Sequence, residues 1–468
     1  MKKVQLAWFS PVVPQPTDIA NYTERLRPAL DAEFEVRYFT ETQSGFLDLG
    51  TGRKYDCDPG QVPYEIFRQL NLVDLPVYHI GNNPLFHLNT LFLSRHKPGL
   101  VVLHDRKLHH FVDAVYKHRL GDRDTYVGLM HRYYGTLGAE AAAAAWETLI
   151  PIDFMADHFP FTEFAIEKAL GVLVHTQHSS AAVGALTSHP LFRLPLAFPA
   201  HAESELAPSH KKAGERLRLI MFGFLGPNRR VIEFLRAFAK LEERDQFVVD
   251  LVGEIGHREE VEAVVTALGL ESRVTLHGYV EQSALDDLLT RADLAINLRY
   301  PSMGEASGTQ LRIWSHALPS LVTHTEGYIE LPEAAVCFVR PEHEEADIQL
   351  HLRQFLADPQ TFREMGRAGR LLLEQEHSPA VYVQGLRTIA EKMNQMRTRH
   401  TKCDLAERLG RALTPVAGAS NRSRFYAETV SGLLTEEDAN GNAATSSVHA
   451  ANTSSSSSPS QSFSTNSS

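Results

Sequence analysis

Residues 299–312 read Arg-Tyr-Pro-Ser-Met-Gly-Glu-Ala-Ser-Gly-Thr-Gln-Leu-Arg. This stretch follows a buried-strand pattern, Asp293-Leu-Ala-Ile-Asn-Leu298, and runs into an amphipathic helical pattern that ends at Ala317. The order predicts that the Glu305 carboxylate and the turn at Gly308 lie where a strand ends and a helix begins. In an open α/β sheet that edge binds ligands, and the free N–H groups of a helix amino end suit a phosphate. A carboxylate beside them suits sugar hydroxyls or a developing cation, so the combination predicts a nucleotide-sugar site.

Strand and helix patterns alternate along the second half of the chain. Strands are predicted at Leu217–Phe222, Phe247–Val252, Arg273–Leu276, Leu294–Leu298, Ser320–Thr323 and Val336–Val339, and helices at Arg230–Glu243, Arg258–Leu268, Gln282–Thr290 and Ser307–Ala317. Such alternation predicts a parallel sheet covered by helices on both faces. The first half also has an α/β pattern. Its strands are predicted at Val4–Phe9, Glu35–Phe39, Pro76–Ile80, Leu100–Leu103 and Gly171–His175, and its helices at Asn21–Leu30 and Glu140–Leu149. We therefore predict an α/β protein with two Rossmann-like domains.

The domain boundaries follow from where this periodicity weakens. A linker is predicted within Leu196–Arg216, which holds prolines, histidines and charges but little periodicity. The predicted order is an N-terminal domain over residues 1–205, a C-terminal domain over 206–378, a helical segment over 379–396, a poorly defined and partly helical region over 397–434, and a tail over 435–468. The tail is rich in Ser, Thr, Asn and Ala. Because it cannot bury a core, we expect it to be disordered.

Composition narrows the class of partner and compartment. The formal net charge is −11 over 468 residues, so there is no global electrostatic case for binding nucleic acid or an anionic membrane. Local basic patches leave room for a peripheral membrane contact. The three cysteines are odd in number and far apart, which favours a reducing compartment over a disulfide framework. No apolar run reaches the length of a membrane span, and we expect a cytoplasmic protein.

A second phosphate-directed pattern lies at Phe222-Gly-Phe-Leu-Gly-Pro-Asn-Arg-Arg230. A strand ends there, Gly223 permits close backbone approach to a ligand, and Arg229 and Arg230 could pair bidentately with phosphate. A plain turn with solvated arginines is the alternative when the segment is taken alone. Two phosphate-directed features at one edge of the same predicted sheet favour the functional interpretation.

The pair His104-Asp105 follows the predicted strand Leu100–Leu103. At a strand end it could face an interdomain cleft, with the histidine as a base and the aspartate as its orienter. A helix-capping Asp105 with an incidental histidine is the structural alternative. A metal site with His109 and His110 is conceivable, but the spacing matches no standard metal motif. The chain has no intact signature of a dehydrogenase, kinase, esterase or zinc protease.

Several segments, taken in order, resemble retaining GT-B glycosyltransferases of family 4 over most of residues 1–395. The matching segments are Trp8-Phe-Ser-Pro-Val-Val-Pro14, Ile19-Ala-Asn-Tyr22, Tyr78-His-Ile-Gly-Asn-Asn-Pro84, Pro98–Asp105, Gly171–His175, Phe222–Arg230, His277-Gly-Tyr-Val280 and Arg299–Gly308. The resemblance implies two Rossmann-like domains facing a cleft. The first would take the acceptor, the second would take the donor, and the helix over 379–396 would cross back to the first domain.

The resemblance also implies roles for individual residues. It gives Glu305 and His104 catalytic contacts with the donor sugar. It assigns donor binding to Gly223, Arg229, Tyr279, Ser307, Gly308 and Thr309, with Arg230 as the alternative to Arg229. It implies no metal and no cofactor, with a nucleotide-diphosphate sugar as the donor substrate. The acceptor would be a glycan, a lipid-linked sugar or a protein.

Two positions depart from the family pattern. Ile313 stands where the family has a second acid, which usually contacts the ribose, and Asp18 stands where the family has a loop glycine. We predict a retaining, hexosyltransferase-like enzyme that needs no metal. The alternatives are a non-catalytic nucleotide-sugar-binding subunit of a glycosyltransferase complex and a GT-B sugar epimerase.

Overall fold

The protein is described by a computed structural model over residues 3–56, 64–201 and 215–413. Residues 1–393 form one compact unit and residues 394–468 form a second. The predicted tail over 435–468 lies outside the described residues, as do residues 202–214 of the predicted linker and residues 414–434. The first unit contains two β-sheets.

The first sheet has eight strands in the spatial order β4-β3-β2-β1-β5-β6-β7-β8. They are β1 Gln5–Phe9, β2 Glu35–Thr42, β3 Gly45–Asp48, β4 Lys54–Asp56, β5 Leu75–Ile80, β6 Leu100–Leu103, β7 Gly171–Val174 and β8 Leu191–Arg193. All neighbours are parallel except the antiparallel pairs β2–β3 and β3–β4. Every residue of β5, β6 and β7 is buried, because helices cover both faces of a parallel sheet.

The second sheet has six parallel strands in the order β11-β10-β9-β12-β13-β14. They are β9 Leu217–Phe222, β10 Phe247–Val252, β11 Val274–Gly278, β12 Leu294–Asn297, β13 Ser320–Thr323 and β14 Cys337–Val339. The chain moves outward in one direction from β9 to β11 and then returns to the other side of β9 with β12. The order therefore reverses between β9 and β12, and a crevice opens beyond the carboxyl ends of these two strands.

Sixteen α-helices lie in the described residues. They are α1 Asp18–Glu33, α2 Tyr64–Leu70, α3 Pro84–His96, α4 His109–Asp113, α5 Arg123–Trp146, α6 Ile152–His158, α7 Thr162–Ile166, α8 Gln177–Gly184, α9 Val231–Ala239, α10 Arg258–Ala267, α11 Gln282–Arg291, α12 Gly308–Ser315, α13 Glu344–Ala357, α14 Pro359–Glu376, α15 Pro379–Glu391 and α16 Met393–Leu413. Among these helices, none combines the length and the apolar character that a membrane crossing requires.

The differences from the predicted elements have local causes. The predicted helix Arg230–Glu243 begins one residue later, because Arg230 has a left-handed φ of 58°. The predicted helix Glu140–Leu149 is the end of the longer α5, which holds a non-helical Gly135 with φ 67°. The short strands β3, β4 and β8 were not predicted, since each offers too few residues for a clear alternation.

Helix α15 packs against α1 of the first sheet. Arg387 Nη1 lies 2.9 Å from Glu33 Oε1, and the rings of Tyr382 and Tyr22 meet edge to face at 5.9 Å. After the second sheet, the chain thus returns to α1, a helix of the first domain.

Candidate functional site

Two loops meet at the reversal point of the second sheet. Gly223 follows β9 with φ 104°, a conformation that glycine adopts without steric cost. A Cβ placed on Gly223 would lie 3.9 Å from Thr309 Oγ1 in the first turn of α12. The loop after β9 and the amino end of α12 therefore lie side by side, as predicted from the sequence patterns at 222–230 and 299–312.

Glu305 is held by the loop that joins β12 to α12. Its carboxylate forms an ion pair with Arg299, accepts a 2.7 Å hydrogen bond from Met303 N and lies 3.2 Å from Ser302 Oγ. Burial alone would raise the pKa of Glu305, but the Arg299 charge and the hydrogen bonds hold that pKa below its usual range. Glu305 is therefore ionised at neutral pH.

Arg229 is a buried cation next to this ion pair. Its side chain is almost fully buried and ends a short 3-10 turn, Pro227–Arg229. Nη2 donates to Phe222 O at 3.2 Å, whereas Nε and Nη1 have no hydrogen-bond partner in the described part of the chain. Burial, and then the neighbouring Arg299 charge, lower the pKa of Arg229 to about 10. The group is still protonated at pH 7, so it provides two buried donors and a positive charge for an anion.

Arg230 has different surroundings, although it is adjacent in sequence. Because its backbone is left-handed, its guanidinium group lies against Glu344, at 2.7 Å, and against Glu233, at 3.0 Å. Both of these acids belong to the covering helices α13 and α9. Arg230 thus links α13 to α9. Of the two arginines, Arg229 is the one with hydrogen-bond donors that have no partner in the described chain.

Helix α12 begins directly beside Glu305. The Ser307 side chain caps the helix by accepting a hydrogen bond from Gln310 N at 3.1 Å. The N–H groups of Gly308 and Thr309 stand at its first two positions, where an α-helix offers no internal acceptor. They remain directed at the space beyond the sheet edge, where a phosphate would gain from the helix dipole. Tyr279, by contrast, is 72% exposed and follows β11 at a more distant strand.

The first domain contributes the segment that follows β6. His104 Nε2 lies 2.9 Å from His79 Nδ1, and burial, together with the nearby His175, holds the pKa of His104 well below its usual value. The imidazole is therefore neutral. Asp105 accepts a 2.7 Å hydrogen bond from Asn82 N. Burial, and then the charge of Glu305, raise the pKa of Asp105 to about 7.

His109 and His110 do not join this group. The ring of His109 lies between Phe159 O, at 2.6 Å, and Tyr126 Oη, at 2.7 Å. His110 Nε2 lies 2.9 Å from Asp153. The structure therefore places Asp105, but not the two later histidines, where it is affected by the charge of Glu305. The ring of His104 lies among His79, Tyr22 and His175.

Hydrogen bonds between the two domains hold the cleft closed at this point. Lys107 Nζ donates to Ser302 O and to Glu326 Oε1, both at 2.7 Å. Ser179 Oγ donates to Gly304 O at 3.0 Å. The segment that carries His104 is thereby fixed against the loop that carries Glu305.

A cavity of about 150 Å³ lies between the domains next to this contact. It is lined by residues of both domains, among them His175, Arg193, Glu305, Ser307 and Tyr328. His175 Nε2 and Tyr328 Oη are buried and have no hydrogen-bond partner among the described residues. Both side chains therefore have unused hydrogen-bonding capacity next to the cavity that Glu305 lines.

One group of side chains in the described residues has a spacing suited to a metal ion. The ligand atoms of His201, Asp286 and His316 lie within 4.8 Å of one another. The two histidines lie against Asp286 Oδ1. However, Arg312 Nη2 also donates to Asp286 Oδ1 at 2.6 Å, so the negative charge of this carboxylate is already paired with a guanidinium group.

Sequence reasoning missed two contributors to the site, Arg299 and Lys107. Arg299, the ion-pair partner of Glu305, lies in the stretch 299–312. Its position six residues before Glu305 was the signal from which the ion pair could have been predicted. Lys107 reaches Ser302, in the loop that carries Glu305, only through the pairing of the two domains. Asp105, predicted as the orienter of His104, instead accepts its hydrogen bond from Asn82 N. Ile313 is fully buried among apolar neighbours such as Ile220 and Leu289, so it offers no polar contact at the position of the family's second acid.

Comparison with known proteins finds one matching family model and several solved structures with a similar fold. Residues 203–372 match the model of the family described as glycosyl transferases group 1. No curated protein matches the chain at a significant level. Among solved structures, the chain is similar to sucrose-phosphate synthase from Thermosynechococcus elongatus, with 15% identity, 84% of this chain and 100% of that chain covered, and a TM-score of 0.55.

Two further solved structures share the fold. Anabaena HepE in complex with UDP and glucose has 14% identity, 84% and 100% coverage and a TM-score of 0.54. A glycosyltransferase from Rickettsia africae has 11% identity, 84% and 99% coverage and a TM-score of 0.51. The chain therefore has the GT-B fold, and its residues 203–372 are similar to glycosyl transferases group 1.

Proposed function

We propose that this protein is a retaining glycosyltransferase that moves a sugar from a nucleoside-diphosphate sugar to a hydroxyl-bearing acceptor. The observation that carries the proposal is the buried guanidinium of Arg229, which has two donors without a partner among the described residues beside the ionised Glu305. A buried, unpaired cation is costly unless an anion neutralises it. The donor's diphosphate is an anion that would arrive together with a sugar for Glu305.

The donor phosphates would lie between the loop after β9 and the amino end of α12. Gly223 leaves room for them, the N–H groups of Gly308 and Thr309 would donate to their oxygens, and Arg229 would supply the full positive charge. The group 1 match over this domain and the UDP bound in the HepE complex support this assignment.

The sugar would project from the phosphates toward Glu305 and the first domain. The Glu305 carboxylate, oriented by Arg299, would position a sugar hydroxyl and stabilise positive charge that develops on the ring. The neutral imidazole of His104 would contact the same sugar from the other side of the cleft. These contacts would hold the anomeric carbon next to an incoming acceptor.

In the proposed reaction, the bond between the anomeric carbon and the diphosphate oxygen breaks, and the acceptor oxygen forms a new bond on the same face. The acceptor proton passes to an oxygen of the departing diphosphate. Negative charge grows on the leaving group, where Arg229 and the α12 dipole stabilise it. Because these groups already supply positive charge, we propose chemistry without a metal or a cofactor. We also propose a cytoplasmic setting, based on the sparse cysteines.

The test is a thermal-shift screen of the purified protein with UDP-, GDP- and ADP-sugars, followed by turnover of the donor that binds. A ligand that binds only the folded state raises apparent stability. We expect one nucleotide class to bind and to be consumed, with acceptor-dependent release of nucleoside diphosphate and an unchanged anomeric configuration in the product.

The second candidate function is a non-catalytic nucleotide-sugar-binding subunit. The buried Ile313 favours it, because the acid that usually contacts the ribose is missing at this position. Binding without turnover over a broad panel of glycan and lipid-linked acceptors would favour that candidate. Release of free nucleotide and sugar without any acceptor would favour an epimerase. The absence of binding to all three nucleotide classes would contradict the proposal.

A further inference from the structure

The amino end of α12 faces a carboxylate of the first domain. Asp18 opens α1, and its Oδ2 occupies the space that a Cβ on Gly308 would need, while its Cγ would lie 3.2 Å from that Cβ. The carboxylate therefore covers the first residue of α12 from the other side of the cleft. This is the place where the N–H groups of Gly308 and Thr309 would meet the donor's phosphates.

Asp18 lies among groups that attract anions. Asp18 lies in the first turn of α1, whose cap residue Thr17 makes no side-chain capping bond, and Arg25 Nη2 lies 3.3 Å from Asp18 Oδ1. The carboxylate thus stands between the amino ends of two helices and beside a guanidinium group, all of which attract anions. Its side chain is 58% exposed, so it has room to turn away.

A second observation points to an anion at the same sheet edge. Arg229, on the second domain's side of the same sheet edge, keeps two buried donors without a partner in the described chain. Asp18 is bonded to Arg25 instead. The protein's own carboxylate therefore stands at the helix end without satisfying the arginine that a phosphate would reach.

We infer that Asp18 is a specificity-determining residue that competes with the ligand's phosphates for the amino end of α12, an inference that rests on the proposed function. When a diphosphate binds, the Asp18 carboxylate must leave the space over Gly308 while it keeps its bond to Arg25. It then lies close to the phosphate charge. The repulsion grows with the ligand's charge. A nucleoside diphosphate carries one more negative charge than the nucleotide sugar from which it forms, so Asp18 disfavours the product more than the donor and promotes product release.

The experiment compares the full chain with Asp18→Asn, which keeps the size of the side chain, and with Asp18→Gly, which also removes its bulk. Calorimetry measures the Kd of UDP, GDP and ADP and of UDP-glucose, GDP-mannose and ADP-glucose. Glu24→Gln is the matched control, because it removes one negative charge from the exposed side of α1. Melting temperatures without ligand verify that each variant is folded.

We expect Asp18→Asn to bind the preferred nucleoside diphosphate about tenfold more tightly, the scale of a charge at a helix end. The gain should be smaller for the matching nucleotide sugar, should shrink at high salt and should be absent in Glu24→Gln. Asp18→Gly should bind at least as tightly as Asp18→Asn.

Unchanged or weaker diphosphate binding by both Asp18 variants, with a parent protein that binds normally, would overturn this inference and leave the proposed function standing. An equal gain for diphosphate and sugar nucleotide would overturn the role in product release. If neither the parent nor any variant binds a nucleotide, the proposed function and this inference fail together. Binding only by the Asp18 variants would support the inference.

Discussion

Arg229 and Arg299 are neighbouring cations, yet only Arg299 forms an ion pair with the Glu305 carboxylate. Nε and Nη1 of Arg229 find no acceptor among the described residues. Two buried guanidinium groups face the ionised Glu305 and Asp105, whose pKa of about 7 leaves it only partly ionised at neutral pH. Positive charge is therefore in excess at the carboxyl edge of the second sheet. An anionic ligand would remove that excess, and the first prediction follows from this imbalance.

Replacing Arg229 by methionine should separate stability from binding. Arg229→Met removes an unpaired buried charge but keeps most of the volume, so the empty protein should unfold no more easily than the parent. The variant should bind the nucleoside diphosphate more weakly by roughly 2 kcal/mol, the scale of a charge-assisted hydrogen bond. Urea denaturation and calorimetry measure the two quantities.

Arg230→Met is the matched control for this experiment. It breaks the ion pairs with Glu344 and Glu233 and should leave diphosphate binding intact. Normal binding by Arg229→Met together with lost binding by Arg230→Met would mean that Arg230, and not Arg229, holds the phosphate.

Removal of Arg299 should destabilise the protein, because Glu305 would stay buried without its cation. The expected loss for Arg299→Met is about 3–5 kcal/mol in the free energy of unfolding, as for other broken buried pairs. The double variant Arg299→Met/Glu305→Gln should lose less than the sum of the two single variants, since no unpaired charge then remains. Strict additivity in urea denaturation would show that the pair contributes nothing to stability.

Asp105 should make stability depend on pH. Its pKa in the folded protein is about 7, above the value of an unfolded aspartate, so the folded state takes up a proton more readily between about pH 4 and pH 7. The free energy of unfolding should therefore fall as pH rises through that window. Asp105→Asn should melt higher than the parent at pH 8, and the difference should narrow toward pH 5.

The exposed Asp124, on α5, provides the control for this pH series. Asp124→Asn should differ from the parent by the same amount at pH 5 and pH 8. If Asp105→Asn shows the same flat difference, the carboxyl group does not sense burial and Glu305 as described.

Lys107 should govern how closely the two domains meet. Lys107→Met removes the hydrogen bonds to Ser302 O and Glu326, so we expect a larger radius of gyration by small-angle X-ray scattering and a raised KM for the donor. Lys240→Met removes a lysine that pairs with Glu345 on the surface of the second domain and should change neither. An unchanged radius for Lys107→Met would mean that other contacts hold the cleft.

The sequence was informative where function depends on neighbours along the chain. The placement of Glu305 and Gly308 between a strand and a helix was predictable, because β12 is a short apolar run and α12 follows within the same segment. The strands β9, β10 and β13 were predicted with their observed bounds for the same reason. Arg229 and Arg230 could not be told apart, since the left-handed backbone at Arg230 that turns them to different partners leaves no periodic signal.

Contacts between the domains were beyond sequence reasoning. Asp105 and Glu305 lie 200 positions apart, and Asp18 meets Gly308 only when α1 and α12 bring their amino ends together. The substitution of Asp18 for a glycine was visible as a departure from the family pattern. Its position over the end of α12 required the three-dimensional arrangement.

The most direct test of the central claim is the rate of nucleoside-diphosphate release from the best-binding donor, compared between the parent and Glu305→Gln. The substitution keeps the shape of the side chain and removes the charge that faces the sugar. Glu333→Gln, an exposed site in the same domain, is the control. We predict acceptor-dependent release by the parent and by Glu333→Gln, and a loss of about a hundredfold or more in a folded Glu305→Gln protein. Near-normal release by Glu305→Gln would contradict the account.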